Sequence, residues 1–134
     1  MDKVWQENKQ LLNLDAGDVF GQRTQNDREQ TKFLCEMLGT LGLDAIGLGE
    51  QDLNYGLDFL REMMAQHGLP FINANVRETK TGALILPEYK VVERNGVKYG
   101  IVSVLDPAQQ ILTLTGGEGQ FTVADPVATL RELL

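Results

Sequence analysis

Ala45-Ile46-Gly47-Leu48-Gly49-Glu50-Gln51-Asp52-Leu53-Asn54-Tyr55-Gly56 runs from an apolar, glycine-bounded stretch into an acidic loop. Leu57, Leu60, Met63 and Met64 follow it at helical spacing, and Gly68 suits a helix stop. A strand passing through a short polar loop into a helix is half of a βαβ unit. Working outward, Leu11 to Asp15 reads as a buried strand ending at Ala16-Gly17-Asp18. Asn26 and Glu29 have capping-box spacing before Phe33, Leu34, Met37, Leu38 and Leu41, with Gly42 as the left-handed stop. Phe71 to Val76 is a third strand. Strand, helix, strand, helix, strand in this order predicts right-handed crossovers and a parallel sheet.

Beyond residue 88 the pattern changes. Tyr89–Arg94 and Val97–Val104 flank Asn95-Gly96, the favoured pair of a type I′ hairpin, so two antiparallel strands are expected to join the sheet. Asp125 before Pro126 reads as N-cap and first turn of a helix from Val127 to Leu134. The fold class is therefore α/β, a parallel βαβαβ followed by an antiparallel hairpin and a C-terminal helix, in one domain over residues 1–134.

Composition narrows the function classes. The chain has 134 residues, 43% hydrophobic and 23% charged, and a formal net charge of −7. That charge repels a polyphosphate backbone, so a nucleic-acid polymer is not an expected partner. A small phosphorylated substrate would need the field inverted locally, which a divalent cation does. No apolar run reaches the ~20 residues of a membrane-spanning helix. The segment Met1 to Glu7 carries no apolar stretch of secretory type. One cysteine, Cys35, excludes an intrachain disulfide and a cysteine-rich zinc site, and reads as a packed core thiol. His67 is the only histidine and sits near the end of the second helix, where it suits the last carbonyls.

Ligands of open parallel sheets bind outside the carboxyl ends of the strands. Asp18 and Glu50 fall there on adjacent strands, near enough to share a hard or borderline cation such as Mg, Mn or Zn. Acidic residues after a strand also cap helices, and spacing alone leaves both readings open. Asn73 and Asn75 end the third strand at the same edge, where Asn75 is a candidate substrate contact and a turn is the plainer alternative. Gly116-Gly117-Glu118-Gly119 lacks the Lys-Ser/Thr of a phosphate-binding loop and reads as a turn.

The ordered series Leu14-Asp15-Ala16-Gly17-Asp18, a helix, Asp44 to Gly49, then Tyr55-Gly56 resembles the calcineurin-like metallophosphoesterases of the 5′-nucleotidase branch. Leu69-Pro70-Phe71-Ile72-Asn73-Ala74-Asn75-Val76 and Gly96 to Val104 fit the same branch. The resemblance extends from about residue 11 to the last residue. It implies an α/β sandwich whose two-metal site hydrolyses phosphate monoesters.

By position, Asp18 matches the aspartate that bridges both metals, and Glu50 the asparagine of the family's Gly-Asn-His-Glu-x-Asp motif that ligates one of them. Gln51 replaces the histidine that assists the leaving group. Asp52 takes the place of the motif glutamate, and Asn54 replaces the aspartate that orients that histidine. Gln51 does not titrate near neutral pH, so the acid–base pair is lost as a unit. The Asp-x-His and Gly-His-x-His metal ligands of the family have no counterpart in a chain with one histidine.

The resemblance thus implies a fragment of a phosphoesterase domain, inactive alone, whose partner is the remainder of its own domain or another protein. The other reading is a binding or scaffold module, similar to domains associated with multihaem cytochromes of exported electron-transfer systems. Relatives in this family are mostly periplasmic or extracellular, which leaves the compartment of this chain unassigned.

Overall fold

In the computed structural model, residues 10–20, 25–109, 111 and 119–134 are described. Short parallel strands β1 (Leu14–Asp15), β2 (Ala45–Gly47) and β3 (Phe71–Ile72) form one sheet in the order β1-β2-β3. Leu14 pairs with Ala45 and Asp15 with Ile46, while Ile46 pairs with Phe71. Helix α1 (Gln25–Gly39) connects β1 to β2, and α2 (Leu57–His67) connects β2 to β3. The expected parallel βαβαβ is present.

The sheet is buried where both of its faces are covered, which is why Ala45, Ile46, Phe71 and Ile72 form an unbroken apolar set. Phe20, fully buried, leaves the β1 loop to meet the edges of Phe59 and Phe71, with ring centroids 5.7 and 6.1 Å apart. Tyr55 meets Phe59 edge-on at 5.1 Å. These rings join the loops at the carboxyl end of the sheet to helix α2. Gly68, with φ of 65°, closes α2 by returning its N–H to Met64 O.

Several elements differ from the sequence pattern. The first strand is short, and Leu11 and Leu14 are half exposed rather than buried. Helix α1 packs through Thr31 and Cys35, leaving Phe33, Leu34 and Met37 exposed. The apolar spacing marks the helix without marking the face that the core takes. The segment expected as one strand from Phe71 to Val76 bends at Asn73, whose side chain Oδ1 accepts from the N–H of Asn75 and Val76. The chain then starts β4 (Val76–Glu78), which pairs antiparallel with β7 (Phe121–Val123), a strand with no clear sequence signal.

The hairpin β5 (Tyr89–Arg94) and β6 (Val97–Val102) is present, with φ of 53° at Asn95 and 76° at Gly96 as a type I′ turn requires. It does not join the parallel sheet but forms its own two-stranded ribbon. Ser103, just past β6, lies over Gly47, and its Oγ accepts from Leu48 N. Helix α3 (Pro126–Leu133) begins as expected, with Asp125 Oδ1 accepting from Ala128 N at 2.7 Å. The expected Asn26 cap involves a side chain outside those described, as do Gly116, Gly117 and Glu118 of the glycine-rich turn. Among the described residues, no helix is long and apolar enough to cross a membrane.

One ion pair anchors the ribbon. Arg94 bonds to Asp44 and, through Nε, to Leu11 O at 3.1 Å. Asp44 Oδ2 meanwhile accepts from Asn13 N at 2.9 Å. Asp44→Asn removes the charge from both bonds, and hydrogen bonds to charged groups are worth about 1.5–3 kcal/mol each. A loss of about 2 kcal/mol in unfolding free energy, measured by urea denaturation, is expected. Leu14→Ala, at a half-exposed position of β1, is expected to cost under about 1 kcal/mol.

Candidate functional site

Asp52 is fully buried and its carboxylate is saturated by main-chain donors. Oδ2 accepts from Gly49 N at 2.8 Å and from Asp18 N at 2.9 Å, and Oδ1 accepts from Phe20 N at 3.0 Å. A single side chain thus ties the loop after β1 to the loop after β2. The 3-10 turn Glu50–Leu53 places it, since one turn returns Asp52 over Gly49.

Asp18 takes the left-handed backbone, φ 56°, which aspartate tolerates better than most residues. Its Oδ1 accepts from Gln51 N at 3.0 Å. The two aspartates therefore exchange loops: Asp52 holds the backbone of Asp18, and Asp18 holds the backbone of Gln51. Gly49 is obligatory between them, because a Cβ there would lie 2.1 Å from Asp18 Oδ1. Gly17 is equally constrained, with φ of 102° and a Cβ position 2.6 Å from Gly47 O.

The structure brings Asp18, Glu50, Gln51 and Asp52 together at the carboxyl edge of β1 and β2, where strand order places them. Glu50 and Gln51 are half-buried in the first half of the turn. Asn54 is buried at the turn's end, with its N–H on Gln51 O. Asn75 is also fully buried. Its Nδ2 donates to Leu105 O and Ala124 O, both at 2.8 Å, and its Oδ1 accepts from Leu105 N at 2.8 Å. Both donors of that amide join β3 to the segments after β6 and β7. Asn73, 0% exposed, leaves its Nδ2 without a partner among the described residues.

Ser103 escaped the sequence reading because it sits in an apolar strand pattern. Its Oγ accepts from Leu48 N at 3.3 Å and tops the Gly47 position. An open cleft of about 730 Å³ lies beside the acidic loops, lined by Arg28, Tyr55, Arg61, Lys80 and Phe121 among others, and includes neither Asp18 nor Glu50.

The donor set can be tested against a metal. Asp52 is spent on three N–H groups and Asp18 on one. Among the described residues, no group of three His, Cys, Asp or Glu is placed to hold an ion. Two carboxylates, Asp18 and Glu50, fall short of the four to six ligands that zinc or magnesium takes. The residues of this chain do not by themselves fit a two-metal centre.

No family model matches the chain. It is 23% identical over 133 residues to a 5′-nucleotidase of Vibrio parahaemolyticus, covering 99% of this chain and 24% of that protein. A 5′-nucleotidase precursor from Thermus thermophilus superposes with a TM-score of 0.74 at 24% identity, over 98% of this chain and 26% of the other. The calcineurin-like phosphoesterase YfkN of Bacillus subtilis gives 0.68 at 25% identity, over 98% and 45%. In fold and in sequence the chain is similar to calcineurin-like phosphoesterases. Within that class it is similar to part of a 5′-nucleotidase-branch domain. The chain spans about a quarter of the length of the nucleotidases it matches.

Burial pushes Asp52 up to about 6, against the three N–H donors that pull it down, with the Asp18 charge adding to the rise. A raised folded pKa gives stability that is present below the ordinary value of 3.8 and lost as pH rises through about 6. Ionising Asp52 at neutral pH therefore costs about 3 kcal/mol relative to the unfolded chain. Wild-type unfolding free energy is expected to fall by about that amount relative to Asp52→Asn between pH 4 and pH 7, read by urea denaturation at each pH. Gly49→Ala is expected to destabilise by about 2–4 kcal/mol at all pH values, because Asp18 is forced off Gln51 N.

Proposed function

We propose that this chain is part of a metal-dependent phosphoesterase domain of 5′-nucleotidase type, whose full assembly acts on small phosphorylated substrates, and that residues 1–134 alone do not hydrolyse them. The observation that carries this reading is the reciprocal Asp18–Asp52 loop tie. It would keep two loops of the family's site in place, with Asp18 and Glu50 at the strand ends, while among the described residues no group of three His, Cys, Asp or Glu is placed to complete it. Asp18 and Glu50 would contribute carboxylate oxygens to a Mn, Zn or Mg centre in the completed domain. The metal would polarise the phosphoryl group and supply the nucleophilic water. What this chain's residues do is narrower: Asp52 and Gly49 fix the loops, and Asp18 orients Gln51.

A second reading, a non-catalytic module of the same fold, is favoured by Gln51 and Asn54. Neither side chain transfers a proton near neutral pH, and Asn54 is buried in the turn. Gln51 keeps hydrogen-bonding capacity without general acid–base chemistry, which is worth about 10²–10⁴-fold in rate. Asn75 is read here as a positioning residue for the strand ends rather than a substrate contact, since both of its donors are engaged.

The test is hydrolysis of p-nitrophenyl phosphate and of a nucleoside monophosphate with Mn²⁺ or Zn²⁺, with metal titration by calorimetry. The isolated chain is expected to show no turnover above metal alone and no stoichiometric two-metal binding. Tight binding of two ions would overturn that expectation. In a polypeptide that completes the domain, Gln51→His with Asn54→Asp is expected to raise turnover by about 10²-fold or more. Wild-type turnover already at the level of the double variant would remove the case for a non-catalytic module.

A further inference from the structure

The cleft of about 730 Å³ beside helix α2 takes no part in the loop tie, and neither Asp18 nor Glu50 borders it. One wall is the start of α2 with the Tyr55-Gly56 step that leads into it. A second wall is the end of β4, the turn at Thr79 and Lys80, and the start of β7. Phe121 is the register partner of Glu78, and Thr79 N donates to Gln120 O at 2.9 Å, so main-chain pairing holds this wall. Arg28 of α1 completes the lining.

Three cations face this space: Arg28, Arg61 and Lys80. Arg28 stands 4.7 Å from the centroid of the Phe59 ring. A cation–π contact uses the charge of a guanidinium and needs no acceptor for its fork of N–H donors, which stays open to an oxyanion. No hydrogen bond or ion pair among the described residues engages Arg61 or Lys80.

Three carboxylates border the same cleft without neutralising these cations. Glu78 Oε2 accepts from Thr81 Oγ1 at 2.8 Å, and Glu62 Oε1 from Gln66 Nε2 at 3.2 Å. Asp58 stands in the first turn of α2, where the positive end of the helix offsets its charge. None of the three forms an ion pair with Arg28, Arg61 or Lys80. The net charge of −7 repels an anion at a distance, but salt screens that field beyond about 8 Å. At contact range the unpaired cations decide.

Size separates the candidate ligands. Small-molecule sites span about 300–1,000 Å³, and this cleft falls among them, far larger than a bare oxyanion needs. Tyr55 and the half-buried Phe121 give its lining aromatic surface beside the cations. We propose that the cleft is a binding site for a small planar organic anion, its phosphate or carboxylate group held by Arg28, Arg61 and Lys80 and its ring laid against Phe121 and Tyr55. Guanidinium forks match both acid groups, so the two share one recognition chemistry. Asp18, Glu50 and Gln51 take no part in it.

The test is titration of the protein with 1-naphthylphosphonate and with 1-naphthoate, read by calorimetry and by backbone amide shifts. Both probes carry a planar ring and an oxyanion, and neither has an ester bond to hydrolyse. Saturable one-site binding is expected, with shifts centred on Gly56–Asp58, Thr79, Lys80 and Phe121. The tighter of the two probes names the acid group. Arg61→Gln/Lys80→Gln is expected to weaken binding by about 10-fold or more at unchanged circular dichroism, since both side chains are exposed. Lys98→Gln, which removes a charge from the ribbon, is expected to change affinity by less than about two-fold. Inorganic phosphate and 1-naphthol each carry half of the recognised chemistry and are expected to bind at least about 10-fold more weakly.

The site is overturned by an absence of saturable binding with both probes, by shifts centred on Asp18 and Gly49 instead, or by an equal loss in Lys98→Gln. Phosphate binding as tightly as naphthylphosphonate would remove the planar ligand, and naphthol binding as tightly would remove the anion.

Discussion

The buried carboxylate of Asp52 is the constraint on which the loop end of this molecule depends. It accepts three main-chain N–H bonds from two loops that lie more than thirty residues apart in the chain. An alanine there would strand those donors in a water-poor interior, at about 1–3 kcal/mol for each unsatisfied group. The left-handed turn at Asp18, the glycine at 49 and the burial of Phe20 between Phe59 and Phe71 all presuppose the position it enforces.

That arrangement costs stability at neutral pH, since burial opposes the charge that the N–H groups need. A fold selected for stability alone has simpler ways to connect two loops. Holding two polar loops rigid at the carboxyl end of a parallel sheet is what a ligand edge requires. The same tie also isolates Asp52 from any ligand role, which leaves Asp18 and Glu50 as the accessible carboxylates. The tie thus fixes the shape of the loop edge without itself supplying a free ligand group.

Periodicity and turn chemistry carried the fold a long way. The glycine-bounded Ala45–Gly49 run, the helical spacing after Leu57, Asn95-Gly96 and Asp125-Pro126 each announce an element through local physics, and each element is present. Local signals do not report which face of a helix the core will take, so Phe33, Leu34 and Met37 mark α1 without being buried by it. Nor do they report sheet membership. The ribbon of β5 and β6 has the pattern of strands that join the sheet, yet it forms a sheet of its own, placed by Arg94–Asp44 and by Ser103 over Gly47, which are contacts between distant segments. Strand β7 has no local signal, since its pairing with β4 is set from more than forty residues away.

The amino-acid sequence by itself determined the α/β class, the order of its elements, and the co-location of Asp18 with Glu50 and Gln51, because strand order and the carboxyl-end rule need no coordinates. It also determined that one histidine cannot supply a multi-histidine metal site. Only the tertiary structure decided that Asp52 ties two loops through main-chain N–H groups, that the Asn75 amide is consumed in bonds to the main chain, and that Ser103 lies over Gly47. Each of these depends on which distant backbone groups approach a given side chain, and no local pattern of residues encodes that distance.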